Sequence, residues 1–189
     1  MRNRAKVSHK NVSISIIMAT YFEDKLRLKK SISSILEQNF RDYELIIITE
    51  PDDMNLDYLH KIEYVNSNVT LVINDKNDGL AKSLNSGIKI SKGKYICRMD
   101  SDDICVTNRL QDQYNYMEDN PKIDVLGTSI YLIDEQKKTK TYKKYPTNHQ
   151  EIKNNFLFRC PIAHPSVIIK KSCFDLLGLY DENFKKCED

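Results

Sequence analysis

An α/β fold with a mostly parallel central sheet flanked by helices is what this sequence predicts. Three observations point to it. Strand-like and helix-like segments alternate from Val12 to Met99, the strand-like runs are too apolar to leave one sheet face wet, and the helical segments gather their apolar residues into one stripe. Val12–Met18 (VSISIIM) is a β-branched run bounded by polar residues, the pattern of a buried strand. Asp24–Gln38 follows as a helix, because Leu28, Ile32, Ile35 and Leu36 recur at three- and four-residue steps while Lys25, Arg27, Lys29 and Lys30 take the other side. Tyr43–Thr49 (YELIIIT) is the second strand, Leu56–Val65 the second helix and Val69–Asn74 the third strand. Leu80–Ile90 puts Leu80, Leu84 and Ile88 on one helical face, and Lys94–Met99 (KYICRM) is the fourth strand. Right-handed crossovers are expected between the strands, and ligands of such open sheets bind beyond the strands' carboxyl ends.

Beyond Asp103 the rhythm changes. A helix over Thr107–Met117 precedes two strand-like runs, Asp124–Ile133 and Lys140–Tyr145, parted by a polar turn at Asp134–Lys138. His149–Leu157 reads as a helix, Ser166–Lys170 as a strand and Lys171–Leu177 as a short helix. No internal repeat and no clear linker interrupts the chain.

Composition bounds the function. With 189 residues, 40% hydrophobic and 30% charged, and only 5 Gly and 5 Pro, the chain has the make-up of one soluble globular domain and needs no disulfide staples. Twenty-nine Lys and Arg against 27 Asp and Glu leave +2, and with no recognition motif present this argues against nucleic acid as a partner. The five cysteines, Cys97, Cys105, Cys160, Cys173 and Cys187, are widely spaced and form no CxxC pair or zinc pattern, as expected of reduced thiols in the cytoplasm. Ile14–Tyr21 is far short of the ~20 residues that cross a bilayer. The basic start, Met1–Lys10, lacks a cleavage site and reads as a solvated tail, with contact to anionic lipid at the inner face of a membrane left open.

The chemistry concentrates in Arg98-Met99-Asp100-Ser101-Asp102-Asp103, at the tip of the fourth strand. If strand geometry continues there, Asp100 and Asp102 point one way and Ser101 and Asp103 the other. Two carboxylates on one side make half a site for Mg²⁺ or Mn²⁺, which complete their shells with water and substrate phosphate oxygens. The plainer alternative is an acidic loop in which Asp103 or Thr107 caps the next helix. His164, held between Pro161 and Pro165, is a candidate substrate-binding residue, although a lone histidine is more often structural. Arg109 either pairs with Asp103, reaches a phosphate or lies solvated on a helix surface. Lys137, Lys138, Lys140, Lys143 and Lys144 form a solvated hairpin or a basic patch for an anionic membrane or a lipid-diphosphate acceptor.

In order along the chain, VSISIIMATYF, SISSILEQNF, YELIII, NDGLAKSLNSGI and KGKYICRMDSDD resemble a family 2 glycosyltransferase with the GT-A fold, from about Val12 to Asp189. The resemblance implies that 12–103 is the nucleotide-sugar-binding half and 104–189 the acceptor-side half of one GT-A domain, after a basic tail at 1–11. It implies that Asp100 and Asp102 form the family's DxD motif, with Asp102 a direct ligand of Mn²⁺ or Mg²⁺ and Asp100 facing the ribose or a metal-bound water. Ala19 and Tyr21 fall where the nucleotide binds, with Tyr21 stacking on the base, and Glu50 falls where an acid hydrogen-bonds that base. The late segment HPSVIIKKSCFDLLGLYDENFKKCED matches the acceptor-side region and ends in the ED motif, which makes Asp189 the catalytic base. A base at the last residue suggests a C-terminally truncated catalytic core.

Some positions depart from the pattern. Phe22 replaces an asparagine after Tyr21, Thr49-Glu50-Pro51-Asp52 stands for Asp-Asp-Gly-Ser, and Leu84 replaces an arginine that would contact phosphate. The activity implied is inverting, metal-dependent transfer of a sugar from a nucleoside-diphosphate sugar to a hydroxyl on a glycan or lipid-linked glycan, in surface polysaccharide synthesis. A sugar nucleotidyltransferase is the alternative from another enzyme class, but Ala19–Asp24 lacks its glycine-rich phosphate loop. A non-catalytic nucleotide-sugar-binding module is the third reading.

Overall fold

The structure, a computed structural model, describes residues 12–77 and 79–183. The basic tail at 1–11 and the predicted base Asp189 lie outside the described residues. The elements run β1 (Ile14–Ala19), α1 (Lys25–Leu36), β2 (Tyr43–Thr49), α2 (Leu56–Val65), β3 (Val69–Ile73), α3 (Leu80–Ile90), β4 (Tyr95–Asp100) and α4 (Arg109–Asp119). They continue with β5 (Val125–Leu126), β6 (Ile130–Asp134), β7 (Thr139–Lys143), α5 (His149–Asn155), a 3₁₀ turn at His164–Ser166, β8 (Ile168–Lys170) and α6 (Lys171–Leu177).

Six strands form the main sheet in the order β3-β2-β1-β4-β8-β5. The first four are parallel, while β8 runs antiparallel to both β4 and β5. Strand alternation divides the interior in two. Ile14, Ile16 and Met18 of β1 with Leu45 and Ile47 of β2 face Leu28, Ile32 and Ile35 of α1, Leu59 of α2 and Leu110 and Met117 of α4. On the other face Ile17, Ile46, Ile48 and Ile96 pack against Leu84 and Ile88 of α3. Burying each such side chain contributes about 1.5–3 kcal/mol, so the sheet centre carries most of the stabilisation.

Two glycines let backbone come close. A Cβ at Gly87 of α3 would lie 2.7 Å from Ile17 Cγ2, and one at Gly93 would lie 2.5 Å from the Ser15 nitrogen. The turn before β4 is locked there: the Ser15 hydroxyl donates to Glu44 (2.6 Å) and accepts from the Gly93 amide (2.8 Å).

The second half departs from expectation. The predicted strand Asp124–Ile133 is two strands in different sheets, because β5 joins β8 whereas β6 pairs only with β7 in a separate hairpin. The break falls at Gly127, where a Cβ would meet Ile162 at 2.7 Å, and at Thr128, whose amide donates to the Ser166 hydroxyl (3.0 Å). Ser166 is consequently in the 3₁₀ turn and not in β8. The fifth helix ends at Asn155, where the amides of Phe158 and Arg159 both bond to the Asn155 carbonyl (2.9 Å each).

Candidate functional site

Strand order places a crevice at one point. The chain moves outward from β1 to β2 and β3, then returns to β4 on the other side of β1, so the loops after β1 and β4 leave in opposite directions. Ala19 and Asp100 are Cα partners at the carboxyl ends of those two strands. Ala19 is half-buried and Asp100 presents 37% of its side chain to solvent.

The loop after β1 carries Tyr21, 43% exposed, with its hydroxyl 3.3 Å from Asp52 and its ring edge-on to Phe22 at 4.6 Å. Phe22 has φ +54°, a left-handed conformation that suits Asn far better than an aromatic residue. Asp53 holds it: one carboxylate oxygen accepts from the Phe22 amide (3.2 Å) and the Thr49 hydroxyl (2.8 Å), and the other from the Asn55 amide (2.7 Å). Asp53 thus ties the β1 and β2 loops together. It was not singled out from sequence, although Asp-x-Asn ahead of a helix is a recognisable Asx-turn signal.

Glu50, just past β2, is 3% exposed. One oxygen accepts from Asn74 Nδ2 (3.2 Å), while the other is buried with no hydrogen-bond partner. A buried carboxylate oxygen without a donor is costly, so Glu50 is an acceptor suited to a ligand N–H at this edge.

Strand geometry does not continue past Asp100. Ser101 and Asp102 form a turn, and the Asp103 amide returns to the Asp100 carbonyl (3.4 Å), so the expected alternation of faces is replaced by three carboxylates crowded on one turn. Asp103 as a residue is exposed, yet its carboxyl is pushed up to about 6. Desolvation within the turn is the main cause, followed by the charges of Asp100 and Asp102, with Arg98 and Arg109 opposing. Neither Asp103 nor Thr107 caps α4, whose N-cap is Asn108 without a side-chain cap bond.

Helix α1 and the residues just past its end position this turn with polar side chains. Ser31 Oγ donates to the Asp100 carbonyl (3.0 Å), Ser34 Oγ accepts from the Cys105 amide (2.9 Å), and Gln38 Nε2 donates to the Val106 carbonyl (2.8 Å). Ser31, Ser34 and Gln38 follow helical spacing beside the apolar stripe, a signal present in the sequence that a search for apolar periodicity passes over.

Arg98 was likewise unforeseen. It is buried at 6%, forms an ion pair with Asp100 through Nη1, and leaves its Nε without a partner. Arg109 is not solvated on a helix surface. It is 9% exposed and donates to Gln113 (3.0 Å) and to the Arg98 carbonyl (3.0 Å), so it braces β4 against α4.

His164 reaches the same edge by a different route. β8 pairs Ile168 with Cys97, and the Arg98 amide donates to the Val167 carbonyl (3.1 Å), which sets the preceding 3₁₀ turn beside the end of β4. The imidazole Nε2 is 2.9 Å from the Tyr180 hydroxyl. Tyr180 is in turn clamped by Asn85, 1% exposed, whose Oδ1 accepts from the Tyr180 amide (3.0 Å) and whose Nδ2 donates to the Tyr180 carbonyl (2.9 Å) and to Glu182 (3.0 Å). Leu84, at the position of the expected phosphate-binding arginine, is 1% exposed in the core.

Asp100 and Asp102 supply hard oxygen donors, and Asp100 keeps one oxygen outside its ion pair with Arg98. That donor set fits a hard divalent cation sharing its shell with ligand phosphate. Among the described residues no group of three or more His, Cys, Asp or Glu side chains is arranged to hold a metal alone.

A family model described as "Glycosyl transferase family 2" matches residues 15–174. An uncharacterized glycosyltransferase of Methanocaldococcus jannaschii, MJ1057, is 34% identical over 179 residues, covering 93% of this chain and 61% of that protein. The O-antigen biosynthesis glycosyltransferase WbnJ of Escherichia coli is 37% identical over 163 residues, covering 84% of this chain and 61% of that one. Among solved structures, S. aureus TarS 1-349 in complex with UDP-GlcNAc matches with a TM-score of 0.74 at 18% identity, covering 94% of this chain and 51% of that chain. This chain therefore spans about three fifths of these two sequence relatives.

Proposed function

We propose that this chain, which belongs to glycosyl transferase family 2, carries the donor site for inverting transfer of a sugar from a nucleoside-diphosphate sugar to a hydroxyl of a glycan or lipid-linked glycan. The family assignment accounts for the GT-A fold and the enzyme class. The relative named for O-antigen biosynthesis supports a polysaccharide product. The observation that carries the site is the pairing of Ala19 with Asp100 at the strand-order reversal, with Tyr21 and Glu50 on the adjoining loops.

In this reading Tyr21 stacks on the base, worth about 1–3 kcal/mol, and the unpartnered oxygen of Glu50 accepts a base N–H. Asp100 and Asp102 would hold Mn²⁺ or Mg²⁺, which when bound would supply positive charge against the donor's diphosphate. Arg98 restrains Asp100, and the serines of α1 fix the turn so that the carboxylates need not reorganise on binding. His164 orients the acceptor through its contact with Tyr180. Asp189, assigned from the family resemblance, accepts the proton of the attacking hydroxyl, a contribution of ~10²- to 10⁴-fold.

The test is a melting-temperature screen of nucleoside diphosphates and their sugars, with and without Mn²⁺, on the natural chain and on Asp102→Ala. Stabilisation should need nucleotide and cation together and disappear in the variant. Equal shifts in both proteins remove Asp102 from the site.

A further inference from the structure

The β6–β7 hairpin stands outside the main sheet, and the donor site uses none of its side chains. A two-stranded ribbon is marginal in water, yet this one leaves Tyr131, Leu132, Ile133 and Tyr142 between 50% and 57% exposed. Register pairs Tyr131 with Tyr142 and Ile133 with Lys140, so both tyrosines and Ile133 share one face. The tyrosine rings lie 5.3 Å apart, and Lys140 Nζ is 4.0 Å from the Tyr131 ring centre.

Charge on the hairpin as a whole is one-sided, with Lys140 on the tyrosine face and Lys143 on the other. Lys137, Lys138, Lys140, Lys143 and Lys144 lie on the hairpin or just after it, and its two acids are already engaged. Asp134 is 3.5 Å from Lys137, and Glu135 reaches Arg27 (3.1 Å) and Lys30 (3.8 Å) on α1. Those last contacts seat the hairpin turn on the first turns of α1. Over residues 23–30 and 134–144, nine Lys and Arg stand against four Asp and Glu, a surplus of five where the whole chain carries +2. Because α1 starts at the carboxyl edge of β1, this basic surface borders the rim of the crevice.

We propose that the hairpin and the exposed side of α1 form a docking surface for an anionic lipid bilayer. The chemistry of the side chains selects that partner. All five hairpin cations are lysines, point charges on flexible stems that follow a diffuse layer of headgroups, without the arginine forks that grip individual phosphates in nucleic acid. Tyrosines with an apolar ring and a polar tip suit the depth of the headgroups. No helix among the described residues is long and apolar enough to cross a membrane, and the contact proposed is one of side chains with the bilayer surface. This inference goes beyond the sugar-transfer reading and does not require it.

Cosedimentation with phosphatidylcholine vesicles, with and without phosphatidylglycerol, tests it. Binding should be at least ~10-fold tighter to the anionic vesicles and weaken as salt rises. Lys138→Glu, Lys143→Glu and Lys144→Glu together should return binding to the phosphatidylcholine level, and Tyr131→Ser with Tyr142→Ser should remove the part that survives high salt. Circular dichroism and nucleotide-induced stabilisation, both expected unchanged, separate this loss from misfolding and from failure of the donor site. Equal binding to both vesicles, an unaffected charge variant, an RNA oligomer held as tightly at the same lysines, or a dimer that the same substitutions dissolve would each overturn the lipid assignment.

Discussion

The two halves of the chain are built differently. Residues 12–103 hold four parallel strands covered on both faces by helices; β1, β2 and β4 are almost wholly buried, while β3 buries only Val69. Residues 104–183 contribute α4 and two short strands to that body, but α5 and α6 bury no residue and β7 is exposed throughout. Phe158, Leu157, Leu176 and Leu177 are each more than 80% exposed. The first half supplies most of the core, with Leu110, Met117 and Ile168 added from the second, and so holds the crevice at its edge on buried strands. The second half is fastened by the apolar contacts of α4 and β8 with the sheet and by a few polar clamps, and leaves its remaining elements open to solvent.

The sharpest way to break this contrast is to truncate one residue in each half. Ile47→Ala, at 0% exposure, should lower unfolding free energy by about 2–5 kcal/mol in a denaturant titration, while Leu132→Ala on the hairpin should change it by less than about 0.5 kcal/mol. Similar losses would show that the hairpin is part of the core.

A smaller effect tests the clamp between the halves. Asn85→Ala removes the side chain that bonds the Tyr180 amide and carbonyl, at a cost of about 1–3 kcal/mol. Hydrogen exchange at the Tyr180 amide should accelerate, and the His164 ring resonances should shift as its neighbour loosens, with nucleotide binding retained. Unchanged exchange at Tyr180 would mean that the segment is held by other contacts.

The smallest expected effect concerns pH. A carboxyl with its folded value raised from 3.8 to about 6 binds its proton more tightly in the native state. Its stabilising contribution is therefore full below 3.8 and is lost as pH rises through about 6. Without metal, the chain should lose a little stability over that window, and Asp103→Asn should flatten the loss. Bound cation should do the same by offsetting the charges of Asp100 and Asp102.

Much of the first half was legible because its strands are apolar runs and its helices apolar stripes. Tyr43–Thr49, Leu56–Val65 and Leu80–Ile90 have the bounds that periodicity predicts. The Asp124–Ile133 run was misread as one strand because Gly127 looks like any small residue until Ile162 packs against it. Motif order proposes Asp100, Asp102, Tyr21 and Glu50 as site candidates, yet the residues that hold them are not legible in it. Arg98, Asp53 and Asn85 act through partners 2, 31 and 95 positions away, as with Asp100, Phe22 and Tyr180.

Hydrophobic patterning, which is local, was enough to decide which segments become strands and helices and that the crevice lies at the carboxyl edge of a parallel sheet. Folding in three dimensions decided that three carboxylates meet on one turn, that an arginine pairs with the first of them, and that Asn85 of α3 clamps Tyr180 from the second half. Those outcomes depend on which polar groups lose water together, and that is a property of packed neighbours, not of sequence spacing.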